Sequence, residues 1–355
     1  MIDIDFENLR AIGLTQEIVN RIAQLPAPAP ATRLARVVEA QRDWFTLHDG
    51  RDERPARALH RLVQELAARA SPLTIGDWVT AQEDEHGELW LAQRVEPVTQ
   101  IARRANDGRR QPLASNVDTA LLVMGLDADY NPRRMERYIA MVRACGVVPV
   151  VVLTKADIAA DARGKVAEIY RRLPATTPVL PVNALSCEAR ADIGPWLHPG
   201  QTLVLLGSSG AGKSTLTNTL TGGAGQLTGG VRKGDGRGRH TTTARSMHLC
   251  PQGACIIDTP GLRTWRPDAD AESLAGTFED VQALAQQCQF RDCRHQGEPG
   301  CAVRGAVDPD RLENYRKLLR DARRGERTPL ERIALRQKWK ALGKAGERRA
   351  REKRA

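Results

Sequence analysis

Apolar residues follow two kinds of pattern along this chain. From "NVDTALLVMGLDAD" onward, continuous apolar runs alternate with stretches where apolar residues recur every three or four positions. The runs are "TALLVMGL", "VVPVVVLTKAD", "TPVLPVNAL", "QTLVLLG" and "ACIIDTPG". Their length and branched content predict strands buried on both faces. Between them, "RRMERYIAMVRACG", stopping at Gly146, "AEIYRRL" and "KSTLTNTL" have helical spacing. Strands alternating with helices predict a parallel α/β sheet.

Ahead of this region the runs are shorter. "ARVVEA", "GDWVTAQ", "GELWLAQRV" and "TQIARR" read as strands, with breaks at "LHDGRDERP" and "EDEHG". Short strands with such breaks predict a small barrel. The stretch "ALHRLVQELAARA" (58–70) has helical spacing and is expected as an insertion in it. Residues 1–34 read as a short helical lead ending in the Pro/Ala arm "LPAPAPAT". After about Phe278 the pattern turns helical again.

Composition narrows the class. At 355 residues, with 41% hydrophobic and 27% charged, the chain suits two or three globular domains. No apolar run approaches the roughly 18 residues of a membrane span. The acidic start "MIDIDFENLR" lacks a secretion-signal layout, so a cytoplasmic protein without a membrane partner is expected. The net charge of +10 is localised: residues 311–355 carry 17 Lys and Arg against 6 Asp and Glu, and the other 310 carry 36 against 37. Such a tail could neutralise several RNA phosphates, or be a solvated charged helix.

The chemistry begins at "GSSGAGKST", Gly207, Ser208, Ser209, Gly210, Ala211, Gly212, Lys213, Ser214 and Thr215, between an apolar strand and a helix. In that context the glycines let backbone N–H groups turn inward around phosphates. Lys213 is expected on the β- and γ-phosphates and the Ser214 hydroxyl on Mg²⁺. "DTPG" ends the strand "ACIID". Asp258 there would hold Mg²⁺ through water, and the Gly261 N–H would sense the γ-phosphate.

"TKAD", Thr154, Lys155, Ala156 and Asp157, ends another strand. A carboxylate accepts from guanine N1–H and its exocyclic amine together, a pair adenine lacks. Asp157 suits that role, with the Lys155 stem over the base. "VNALS" supplies a backbone contact to the base carbonyl at Asn183 and Ala184. Base loops normally follow the phosphate loop, and here they precede it. A nucleotide site depends on loops at the carboxyl ends of strands rather than on chain order, so a circularly permuted domain keeps the pocket.

Between these motifs lies the Gly-rich, basic "GGVRKGDGRGRHTTTARS". A hydroxyl there would close over Mg²⁺ and the γ-phosphate, Thr242 first and Thr243 next. Leu262 occupies the place where many GTPases carry a water-orienting Gln, which makes His240 the candidate in cis. Slow intrinsic turnover, accelerated by a partner, follows. Cys288, Cys293, His295 and Cys301 supply three thiolates and an imidazole, a full tetrahedral set for one structural zinc ion with no open position.

The motif order, Leu262, "GRHTTTA", the Cys/His spacing, "GDWV" and "NVDTALLV" together resemble the circularly permuted, ribosome small-subunit-dependent GTPase A family. The resemblance implies an N-terminal OB-fold barrel, a permuted P-loop GTPase domain and a C-terminal zinc-binding helical domain. Expected boundaries are 1–34 for the extension, 35–112 for the barrel, 113–280 for the GTPase domain and 281–355 for the zinc domain and basic tail. It also implies a monomer that binds GTP and GDP, contacts the small (30S) subunit and its rRNA, and assists late maturation. Hydrolysis would be stimulated by the subunit and coupled to release. Thr154 replaces the family's commoner Asn, and Asn183 stands where Ser is frequent. A GTP-regulated factor for another RNA assembly, and a transporter or small-molecule kinase with the same phosphate loop, are the competing readings. For base stacking, Trp78 and Trp90 are the barrel candidates.

Overall fold

The computed structural model describes residues 4–27, 31–41, 44–104, 110–223, 246–259, 274 and 276–325. Two short helices open it, α1 (Phe6–Ala11) and α2 (Gln16–Ile22), with the Asp5 and Thr15 side chains accepting from their first-turn amides. Strands β1 (Arg33–Ala40), β2 (Phe45–His48), β3 (Glu53–Ala58), β4 (Trp78–Glu83) and β5 (Leu89–Arg94) follow. They close in the order β1-β2-β3-β5-β4 and back to β1, a barrel of OB type. Val37, Leu47, Ala56, Val79 and Leu91 fill its interior.

Three expectations are corrected here. The break "LHDGRDERP" holds the end of β2, a turn and the start of β3, so it is a barrel hairpin. Helix α3 (His60–Ala68) is the connection from β3 to β4, burying Leu62 and Leu66 on the barrel core. In turn, "TQIARR" forms β6 (Gln100–Arg104), which leaves the barrel to pair with β7 (Arg110–Ser115). A four-residue strand and a strand carrying Pro55 and three charged residues give too little alternation to read.

The second sheet follows the apolar runs. It contains β8 (Thr119–Gly125), β9 (Val148–Thr154), β10 (Val179–Pro181), β11 (Thr202–Gly207), β12 (Ser246–Leu249) and β13 (Cys255–Asp258). Their order is β10-β9-β8-β11-β13-β12, parallel except for β12. Alternate residues serve opposite faces. Leu122, Met124, Val151 and Leu153 share one core with α4 (Pro132–Ala144) and α5 (Ala162–Arg172). Leu121, Val123, Val150 and Val152 share the other with α6 (Glu188–Ile193) and α7 (Lys213–Thr221). Asn131 caps α4 by accepting from Arg134 N–H at 3.0 Å, with Pro132 in the first turn, where no N–H is missed.

Strand β12 was not expected. It pairs with β1 at Ser246 and Glu39, so the barrel and the second sheet share one run of eleven strands. Arg36 secures the same junction from inside. Its guanidinium, fully buried, donates to Ile12 O, to Gly76 O, to Asn116 O at 2.9 Å and to Thr202 Oγ1 at 2.9 Å.

Helices α8 (Glu279–Ala285) and α9 (Pro309–Gly325) flank the Cys/His segment. Phe278, Val281, Val303, Leu312 and Leu318 make their core, which meets Ala140 of α4. Beside it Glu136, also on α4, is completely buried. Its Oε1 accepts from Arg172 of α5 at 2.9 Å and Arg311 of α9 at 2.8 Å, and Oε2 accepts from Asn314 of α9 at 2.5 Å.

Candidate active site and metal centre

The phosphate loop leaves the carboxyl end of β11. A Cβ on Gly207 would lie 2.3 Å from the Val123 carbonyl of β8, so no larger residue fits. Gly212 caps α7 with a φ of 94°, a conformation glycine adopts without strain. Lys213 curls back over the loop, donating to Gly207 O at 3.1 Å and Ser208 O at 2.7 Å. Burial pulls its ammonium down to about 8, against the opposing field of Asp258. Asp258 is buried at the end of β13, level with Leu205 of β11. Ser214 stands in the first turn of α7.

The base loop leaves β9, two strands away, and is tied to the phosphate loop directly. Thr154 Oγ1 donates to Ala211 O at 2.6 Å. Lys155, at a φ of 61°, sends its Nζ to Gly210 O at 3.0 Å and to Asp127 Oδ2 at 2.7 Å. The Ala156 N–H donates to Val182 O, which joins the loop to the chain beyond β10. Asp157 is exposed at the mouth. Asn183 Oδ1 accepts from Leu185 N–H at 3.0 Å, and Ala184 O accepts from Thr219 of α7 at 2.6 Å. Thus 154–157, 183–184, 207–215 and 258 converge on one end of the sheet. Gly261, Leu262, His240, Thr242 and Thr243 lie outside the described residues.

In the C-terminal part, the ligand atoms of Cys288, Cys293, His295 and Cys301 all lie within 4.8 Å of one another. His295 Nδ1 is 3.7 Å from Cys288 Sγ and 3.5 Å from Cys301 Sγ. Those separations fit edges of a tetrahedron with metal–sulfur and metal–nitrogen bonds of about 2.3 and 2.0 Å. The Arg304 N–H donates to Cys301 Sγ at 3.4 Å, and Arg316 donates to His295 O. The first tightens the ligand loop on itself, and the second holds it against α9. Glu298 binds the amides of Arg294, Gln296 and Gly297, and these backbone bonds, Gly297 first, hold its carboxyl down to about 2.

A family profile described as RsgA GTPase matches residues 95–267. A Xanthomonas oryzae protein named small ribosomal subunit biogenesis GTPase RsgA is 42% identical over 326 residues, covering 90% of this chain and 88% of that protein. This chain belongs to the RsgA GTPase family. A Xylella fastidiosa protein of the same name is 44% identical over 298 residues, covering 81% of this chain and 84% of its own. Among solved structures, YjeQ from Thermotoga maritima is similar with a TM-score of 0.60 and 21% identity over 84% of this chain and 100% of that one. YloQ, described as a circularly permuted GTPase, gives 0.56 and 22% over 85% and 100%. The permuted order read from the motifs is therefore the order of the fold.

As an RsgA GTPase the chain is a GTP hydrolase, and its cleft holds groups that the motifs did not name. Asp129 accepts from the Ser208 hydroxyl and from Gly125 N–H at 3.2 Å, and pairs with Arg134 at 2.7 Å. It ties the phosphate loop to α4. The acidic pair in "LDAD" after the β8 run was the available signal. Ile158 and Leu185 are 74% and 79% exposed, each beside a base-loop residue. An apolar side chain directly after each base motif was their trace in the sequence. Among the described residues no helix is long and apolar enough to cross a membrane.

Proposed function

We propose that this GTPase binds the small (30S) ribosomal subunit and assists its late maturation, with hydrolysis stimulated by the subunit and coupled to release. The observation that carries the reading is the pair of hydrogen bonds from Thr154 and Lys155 to the phosphate loop, which join a purine reader to a triphosphate cradle. The name printed for the Xanthomonas and Xylella relatives supplies the ribosomal context.

In this reading Asp157 accepts from guanine N1–H and the exocyclic amine, and the Ala184 amide meets the base carbonyl. Lys213 exchanges its two carbonyl acceptors for β- and γ-phosphate oxygens. Ser214, Asp258 and Thr242 would hold magnesium, which would supply charge neutralisation between the phosphates. The carboxylate buried beside Lys213 suits that place. Gly261 contacts the γ-phosphate, and His240 orients the attacking water in the complex with the subunit. Cys288, Cys293, His295 and Cys301 would hold one zinc ion, which would supply folding energy to a segment with little core of its own.

GTP turnover measured with purified small subunits, large subunits and neither tests the proposal. Small subunits are expected to accelerate it strongly and large subunits not at all. Stimulation by large subunits alone would move the protein to another assembly.

A further inference from the structure

Three strands of the barrel place two tryptophans and an arginine in one outward row. Leu47, Ala56, Leu89 and Leu91 point into the barrel, so their neighbours point out. Trp44 stands one position beyond the Phe45–Ala56 pair, opposite Arg57, and Arg57 is level with Trp90 on β5. The Arg57 guanidinium lies 4.2 Å from the centre of the Trp44 ring. It covers one face of the indole while the residue stays 46% exposed. Trp90 is half-buried, and its Nε1–H is fixed on Asp84 Oδ2 at 2.9 Å. Trp78, by contrast, is fully buried in the core and is removed as a stacking candidate.

We propose that this row is a stacking platform for single-stranded RNA. An unpaired base lies on the open face of Trp44, the adjoining phosphate meets Arg57, and a second base lies against Trp90. Two strand spacings put the indoles about 10 Å apart, with the cation between them. That layout alternates flat apolar surface with positive charge as an extended strand alternates bases with phosphates. A protein partner would need a complementary apolar hollow; a base needs only an open aromatic face. The row also lies between the β1–β2 and β4–β5 connections, the side from which barrels of this type hold oligonucleotides. Two neighbouring carboxylates are engaged: Glu83 with Arg54 at 3.1 Å, and Asp84 with the Trp90 N–H.

The platform rests on the small-subunit reading, since it names how that partner's RNA is held. The test uses the full chain and a short unstructured oligoribonucleotide, with an RNA hairpin of equal length as control. Trp44→Ala is expected to weaken single-strand binding roughly five- to a hundred-fold, the loss of one stacked base. Trp44→Phe should keep most of the affinity, Arg57→Gln should flatten the salt dependence, and hairpin binding should not change. Unstimulated GTP hydrolysis should stay as in the native chain, which also reports folding. Unaltered single-strand affinity in Trp44→Ala, equal loss for strand and hairpin, or no single-strand binding by the native chain would each overturn the platform. Small-subunit stimulation of the native chain is scored separately, so a failed platform and a failed ribosomal role give different results.

Discussion

Thr154 shows how a single side chain can keep a role when its chemistry changes. Losing an amide at the head of the base loop reads, in sequence, as a contact removed. Its hydroxyl instead reaches the Ala211 carbonyl at 2.6 Å from a fully buried position. Thr154→Val, nearly the same shape, leaves that carbonyl short of a donor, worth about 1 kcal/mol. About a fivefold loss of guanine-nucleotide affinity is expected in titration calorimetry, with the thermal midpoint lowered by no more than a few degrees. Lys213 gives a pH signature. Burial sets the empty-site ammonium near 8, and phosphates beside it raise that value. Binding therefore takes up protons around pH 8, and affinity is fullest below 8 and declines as pH rises above it. Calorimetry in buffers of different ionisation enthalpy reads the uptake directly. Motif residues such as Lys213 and Asp157 were legible because their spacing, their place at strand ends and the other nucleotide motifs together mark loops that the sheet brings to one end. Trp44 was not, because it sits at the rim of a short strand, and Trp78 misled because a strand pattern does not say which face is the core.

Among the elements, α4 has the widest set of partners. One end ties Asp129 and the phosphate loop through Arg134, and Glu136 two residues on ties α5 and α9. Its helical spacing was legible, but not that a glutamate on it would be buried, since burial needs arginines from 36 and 175 residues away. Glu136→Ala removes the buried carboxylate that Arg172 and Arg311 share and leaves them on Asp310 and Asp280, which costs about 1.5–3 kcal/mol. A marked fall in the thermal midpoint is expected, with earlier proteolysis after residue 276. The Cys/His segment makes the opposite case: spacing revealed it, and its few apolar residues leave metal as the organiser. Treatment with a strong chelator should release one zinc per chain and expose the C-terminal part to hydrogen exchange. Nucleotide affinity should persist, because among the described residues none of the cleft comes from that part. Loss of both together would contradict this division.

At the scale of the whole molecule, the permuted order was readable because the nucleotide loops leave strand ends that the sheet, not the chain, brings together. The small barrel was readable from its short strands and turn breaks, but the link through β12 was not, since the pairing of Glu39 with Ser246 joins residues with no local pattern in common. Arg36 belongs to this level, although it is one residue. Its hydrogen-bond acceptors are three carbonyls and a hydroxyl, so the cation at the centre of the junction rests on neutral oxygens. Mobile ions loosen exposed charge pairs and release counterion-driven RNA contacts, and they reach a buried site poorly. High salt should strip RNA from the protein while small-angle scattering records an unchanged outline. Ionic strength thereby becomes a tool that unfastens the cargo and spares the frame.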